Sequence, residues 1–145
     1  MKRRRVALLA VPAMVAGMLV FPSIVHQAGP STPLIRGADP VLDAILQRSC
    51  QDCHSERTDW PWYGHIPPVS SLLEHDVTTA RRHMNLSHWD MYSAEQRKQL
   101  LKEIGAMLRN NRMPPGRYLL MHPRARLSAA EAARVQDWAK AERRK

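Results

Sequence analysis

The chain has 145 residues but only two cysteines, Cys50 and Cys53, which excludes a multi-disulfide scaffold and a four-cysteine zinc or iron-sulfur site. Glycine is scarce at 6, and no G-x-S-x-G, H-E-x-x-H or glycine-rich phosphate loop occurs, so three common catalytic frameworks are set aside. No segment alternates at period two over a useful length and no hairpin turn pair is present, which leaves strands without support. Acidic residues are outnumbered, 13 against 22 Lys and Arg, for a net charge of +9. Four of those cations are Lys2, Arg3, Arg4 and Arg5, and from His26 onward eighteen cations against thirteen carboxylates leave +5. A surplus that diffuse, without a nucleic-acid motif, does not indicate DNA or RNA binding. Apolar residues are plentiful at 44%, too many for a disordered chain, while 11 prolines forecast long loops. The length suits one domain and excludes a multidomain enzyme.

Lys2 to Arg5 precede Val6 to Val25, twenty residues without a charge. Basic-then-apolar order directs a chain to the translocation machinery, so the remainder is expected to be exported. At about 1.5 Å per helical residue the stretch covers about 30 Å, enough to span a bilayer and longer than a usual secretory h-region. An uncleaved N-terminal helical anchor is the favoured reading. Cleavage after Ala28 is the alternative, although His26 suits a cleavage site poorly. The reading therefore divides the chain into a signal anchor or signal peptide at 1–28, a Pro/Ser/Thr-bearing linker at 29–38 and a folded domain at 39–145.

The domain reads as helices and loops. Asp39 can cap a first helix with Pro40 in its first turn, running to about Ser49 with Val41, Leu42, Ile45 and Leu46 on one face. After Pro67-Pro68, the spacing of Val69, Leu72, Leu73, Val77, Ala80 and Met84 predicts a second. Ser93 with Gln96 and Ser128 with Glu131 form capping boxes ahead of a third and a fourth. An all-α domain of about four helices joined by long loops is expected, with a core that is thin for its length. Asp76 falls in the second helix's apolar stripe, so it needs an arginine or a backbone donor. Ala132 and Trp138 of the last helix would suit a close crossing against Ala44 of the first.

The chemistry is concentrated in Cys50-Gln51-Asp52-Cys53-His54, a C-x-x-C-H pattern. Thiols at i and i+3 can add to the two vinyl groups of one haem while the next residue's imidazole reaches the iron as proximal ligand. A redox C-x-x-C or a zinc half-site would leave His54 without a role, the first lacking a βαβ context and the second its remaining ligands. A bound porphyrin would also supply apolar volume that the core lacks.

Ser49 to Ser55, with Trp60-Pro61-Trp62-Tyr63, Pro67-Pro68-Val69-Ser70, His75-Asp76-Val77, Met113-Pro114-Pro115 and His122-Pro123, resembles the bacterial haem-binding domain family of small c-type cytochromes, from about Val41 to Ala139. The resemblance implies a cytochrome c-like, periplasm-facing domain, often anchored at its N-terminus, with one haem c and its iron. It implies little about mechanism.

The sixth iron ligand separates electron transfer from gas or peroxide chemistry. A thioether opposite His54 would stabilise ferrous haem and suit a carrier. Met84 and Met107 lie on apolar helix stripes, whereas Met113 precedes Pro114, Pro115 and Gly116 in the irregular stretch from Asn110 to Leu127 and is the favoured ligand. His122 in the same stretch is the rival, and Met121 or an open iron completes the alternatives. His65, His75, His83 and His88 read as solvated or capping residues. Trp60, Trp62 and Tyr63 follow the motif closely enough to wall a porphyrin, or to serve as ordinary core. The expected function is one-electron transfer with redox partner proteins at the outer face of a bacterial inner membrane, a haem sensor or peroxidase being the alternative.

Overall fold

A computed structural model of the chain describes residues 32–145. The apolar stretch read as an anchor or signal lies outside the described residues, and among the described residues no helix is long and apolar enough to cross a membrane. Among them are six α-helices and no strand: α1 (Pro40–Ser49), α2 (Gln51–His54), α3 (Val69–His83), α4 (Ala94–Arg109), α5 (Gly116–Met121) and α6 (Ala129–Glu142). Short 3₁₀ turns occupy Trp62–His65, Leu86–Met91 and Pro123–Ala125.

The four helices expected from the sequence are α1, α3, α4 and α6, and their start signals act as capping chemistry requires. The Asp39 carboxylate accepts from the N–H groups of Val41 and Leu42 at 3.1 and 3.0 Å. Ser93 and Gln96 bond reciprocally at the start of α4, as do Ser128 and Glu131 at the start of α6. At the other end of α4, Asn111 adopts φ 51°, with its N–H on Leu108 O at 3.1 Å and that of Arg112 on Met107 O at 2.9 Å. This is a Schellman ending with asparagine in the left-handed position, and it turns the chain into Met113.

The core belongs mainly to α1, α4, α6 and the segment from Met84 to Trp89. Leu42, Ile45, Leu46, Leu100, Leu101, Leu108, Val135 and Ala139 are buried together there, and Trp89 and Trp138 meet at 6.1 Å between ring centroids. Leu34 and Ile35, within the stretch read as linker, are buried in the same core, and Leu34 donates its N–H to the buried Asp43 at 2.7 Å. The compact unit from Pro33 to Lys145 thus starts ahead of Asp39, because two apolar residues there find a core to enter.

α6 meets α1, but only lightly, and the crossing expected at Ala44 leaves that residue at the surface. Ala44 is exposed, and α1 and α6 flank a shallow groove lined by Val41, Ala44, Ile45, Ala130 and two ion-paired arginines. α6 packs chiefly along α4. The remaining elements, α2, α3, α5 and the 62–65 turn, bury few apolar side chains: Val77 is the one fully buried apolar residue of α3, and α2 and α5 have none. The C-x-x-C-H segment lies in this thinly packed half.

Candidate functional site

Cys50 stands at a break between helices. Its φ of −126° and ψ of −28° end α1, its N–H still reaches Leu46 O at 2.9 Å, and its carbonyl receives the N–H of His54 at 2.9 Å to close the single turn of α2. Three residues apart on that turn, Cys50 and Cys53 lie on one side, half-buried and not disulfide-bonded. Burial pushes the thiols up, to about 12 for Cys50 and about 11 for Cys53, and the Asp52 and Asp76 carboxylates add to the second shift. A redox-active pair needs accessible thiolate, which this setting disfavours. Among the described residues no three His, Cys, Asp or Glu side chains gather as a metal cage, so a zinc half-site has no completing ligands there.

The His54 ring is held from behind. Its Nδ1 lies 3.0 Å from the carbonyl oxygen of Met84, and a carbonyl only accepts, so Nδ1 carries the proton. Burial pushes the imidazole's pKa down, which keeps the ring neutral, and Nε2 is left with its lone pair for a metal. The chain that follows His54 is fastened by Arg81, which donates to Ser55 O at 2.7 Å and Thr58 Oγ1 at 2.8 Å and pairs with Glu56 at 3.2 Å.

α5 closes the other side. Tyr118 donates its hydroxyl hydrogen to Asp52 Oδ2 at 2.7 Å, and burial followed by that carboxylate pushes the phenol's pKa well up. Arg117 takes both oxygens of Asp76 in a fork at 2.8 to 3.2 Å, the arginine partner that the sequence required. His122 stacks on Tyr118 with ring centroids 4.1 Å apart, its Nδ1 on Tyr118 O and its Nε2 on the Tyr63 hydroxyl, each at 3.2 Å.

Of the residues singled out from the sequence, the structure brings Cys50, Cys53 and His54 together on one turn and joins Tyr63 to His122. Met113 is 40% exposed and stands five residues before the tyrosine that reaches the motif. Trp60 is exposed, and Trp62, at 77% exposure, touches Tyr63 edge-on. His65, His75, His83 and His88 are exposed, with His83 on Glu103. Met84 is buried core, as its stripe position implied. The residues missed are Asp52, Arg81, Tyr92, Arg117 and Tyr118, together with the Met84 carbonyl. The i, i+4 spacing of Tyr118 and His122 was the available signal, hidden by the preceding Pro-Pro-Gly.

The donor set suits haem. Two sulfurs and a neutral imidazole share one turn, and the elements tied to that turn carry Trp60, Trp62, Leu72, Met113, Leu120 and Met121 as exposed apolar side chains. Leu72 lies one turn before Asp76, so it extends the side of α3 that meets α5. Isolated exposed apolar residues need no explanation, but their concentration on these elements matches what an apolar macrocycle would cover.

The sequence is 24% identical over 115 residues to the cytochrome c peroxidase Ccp of Escherichia coli strain K12, covering 77% of this chain and 25% of that protein. The chain thus spans about a quarter of that relative's length. No solved structure matches it. The model of the haem-binding domain family matches residues 21–141, so the chain belongs to that family and binds haem.

Proposed function

We propose that the chain is an exported c-type haem protein that carries one electron at a time. The carrying observation is the turn from Cys50 to His54: both thiols lie on one side of it, and the Met84 carbonyl fixes the tautomer that frees His54 Nε2. Cys50 and Cys53 would hold the porphyrin as thioethers, His54 would bind iron on the proximal side and Met113 on the distal side. Bound there, haem supplies a reversible one-electron iron couple. The protein's own contribution is to orient His54 through Met84, fasten the following loop through Arg81 and cover the macrocycle with Trp60, Trp62 and Tyr63. The absence from the sequence of any other catalytic constellation favours transfer to and from partner proteins over turnover of a substrate. Lys2 to Arg5 followed by Val6 to Val25 support export to the periplasm and anchoring in the inner membrane, with soluble release after cleavage as the alternative.

The test is a haem stain on a denaturing gel of protein made with a c-type maturation system. The wild type should stain and the Cys50→Ala, Cys53→Ala double variant should not; an unstained wild type rejects covalent attachment.

A second reading has two observations behind it: the relative named a cytochrome c peroxidase, and the exposure of Met113. An exchangeable sixth position would then serve a sensor or peroxidase. Carbon monoxide added to the reduced protein at neutral pH separates the readings, since fast and complete binding means an open site and slow or absent binding a carrier.

A further inference from the structure

One peptide group links His54 to a residue outside the site. The carbonyl that accepts from His54 Nδ1–H belongs to Met84, and the N–H of the same peptide unit, on Asn85, is donated to the Tyr92 hydroxyl at 2.8 Å. We propose that Tyr92 is a positioning residue for the haem iron: through the Met84–Asn85 peptide it strengthens the hydrogen bond to His54 and so holds the reduction potential down.

The physical chain has three steps. An amide whose N–H is donated becomes a better acceptor at its oxygen, because the two hydrogen bonds polarise the same conjugated group in one direction. A stronger acceptor draws the Nδ1 proton away from the imidazole and raises the electron density at Nε2, as partners behind metal-bound histidines do. A more basic proximal ligand favours ferric over ferrous iron, which lowers the potential.

The surroundings make this arrangement specific. Met84 and Asn85 are both buried, so their peptide cannot substitute water for Tyr92 without cost. The Asn85 side chain is held as well, its amide donating to Glu56 and its oxygen accepting from Ser87 N–H at 3.0 Å. The Tyr92 ring is set edge-on against the core residue Trp89, with centroids 6.1 Å apart at 77°. The hydroxyl is therefore placed from the core side, and the His54 ring receives its effect through a single amide.

This inference rests on the haem site proposed above, and its test separates the two. The measurement is the potential of the haem-loaded full chain, together with the His54 Nδ1–H proton resonance in the ferrous form. Tyr92→Phe removes only the oxygen. Loss of this polarisation should raise the ferrous-to-ferric ratio at fixed potential about two- to fourfold, roughly 18 to 36 mV for one electron, and should move the Nδ1–H resonance to lower frequency. Val135→Ala, which destabilises the same core without touching this peptide, should change neither. Unchanged potential and resonance in Tyr92→Phe, or equal shifts in Val135→Ala, overturn the role of Tyr92 and leave the haem site standing. A wild-type His54 resonance without the ring-current shift of a haem ligand overturns both.

Discussion

His122 has both of its ring nitrogens engaged, and that bears on which residue faces His54 across the iron. The Tyr118 carbonyl requires a proton on Nδ1, so Nε2 accepts from the Tyr63 hydroxyl, and the ring lies flat on Tyr118. To ligate iron, His122 would have to give up the Tyr63 bond and the stack. The Met113 thioether has no hydrogen bond to surrender. Because a thioether stabilises ferrous iron, Met113→Ala should lower the potential by more than about 59 mV, a tenfold change in the one-electron equilibrium. The variant should also bind carbon monoxide quickly when reduced and lose the weak far-red absorption of ferric methionine-iron bonding. His122→Ala should do none of these, because its task is to hold α5. An iron opened by His122→Ala, with Met113→Ala silent, would establish bis-histidine ligation instead.

At the scale of elements, the placement of Met113 depends on how α4 ends. Asn111 at φ 51° carries the Schellman turn, and a side chain other than Asn or Gly pays for the left-handed region. Asn111→Ala should cost about 1 kcal/mol and Asn111→Gly close to nothing, read as urea midpoints of the haem-loaded protein; equal midpoints for the two variants would remove this account. The same contrast between local and distant contacts explains what the sequence made legible. Asp39-Pro40, Ser93 with Gln96 and Ser128 with Glu131 mark helix starts because each cap is made within three residues. The C-x-x-C-H turn is equally local. By contrast, Asp52 meets Tyr118, Asp76 meets Arg117 and His54 meets Met84 across 66, 41 and 30 residues. The partner of His54 is a backbone carbonyl, which no side-chain pattern encodes. α5 escaped notice for a related reason: six residues after Pro-Pro carry too few apolar positions to reveal a helical period, and its helix is fastened by Tyr118 and Arg117 to elements far back in the chain. Leu34 and Ile35 were hidden by the prolines and glycine around them.

For the whole molecule, α1 and α6 are joined across their groove by two ion pairs, and their acid response follows from the direction of two shifts. Arg48, helped by Ser128, holds the Glu131 carboxyl at about 2 against an ordinary value of 4.5, and the Leu42 N–H and Arg134 hold Asp39 low in the same way. A carboxyl whose folded pKa is depressed adds stability that is complete above its unfolded value and disappears as the pH falls through its folded one. For Glu131 that window runs from about 4.5 down to about 2. Protonation over the same range also strips negative charge from a domain that already carries +5, so repulsion among its cations grows as the ion pairs fail. The Arg134–Asp39 pair is solvent-exposed and the Arg48–Glu131 pair partly so, and screening makes the effect modest and salt-sensitive. Glu131→Gln should therefore unfold at lower urea than the wild type at pH 7. The gap should close steadily below pH 4.5 and be mostly gone near pH 2, where the wild-type carboxyl is itself about half neutral. Far-ultraviolet circular dichroism of the haem-loaded protein, at low and at 0.5 M salt, measures it. A gap that persists unchanged at pH 2 would mean that Glu131 acts through its neutral capping bond to Ser128 and not through its charge.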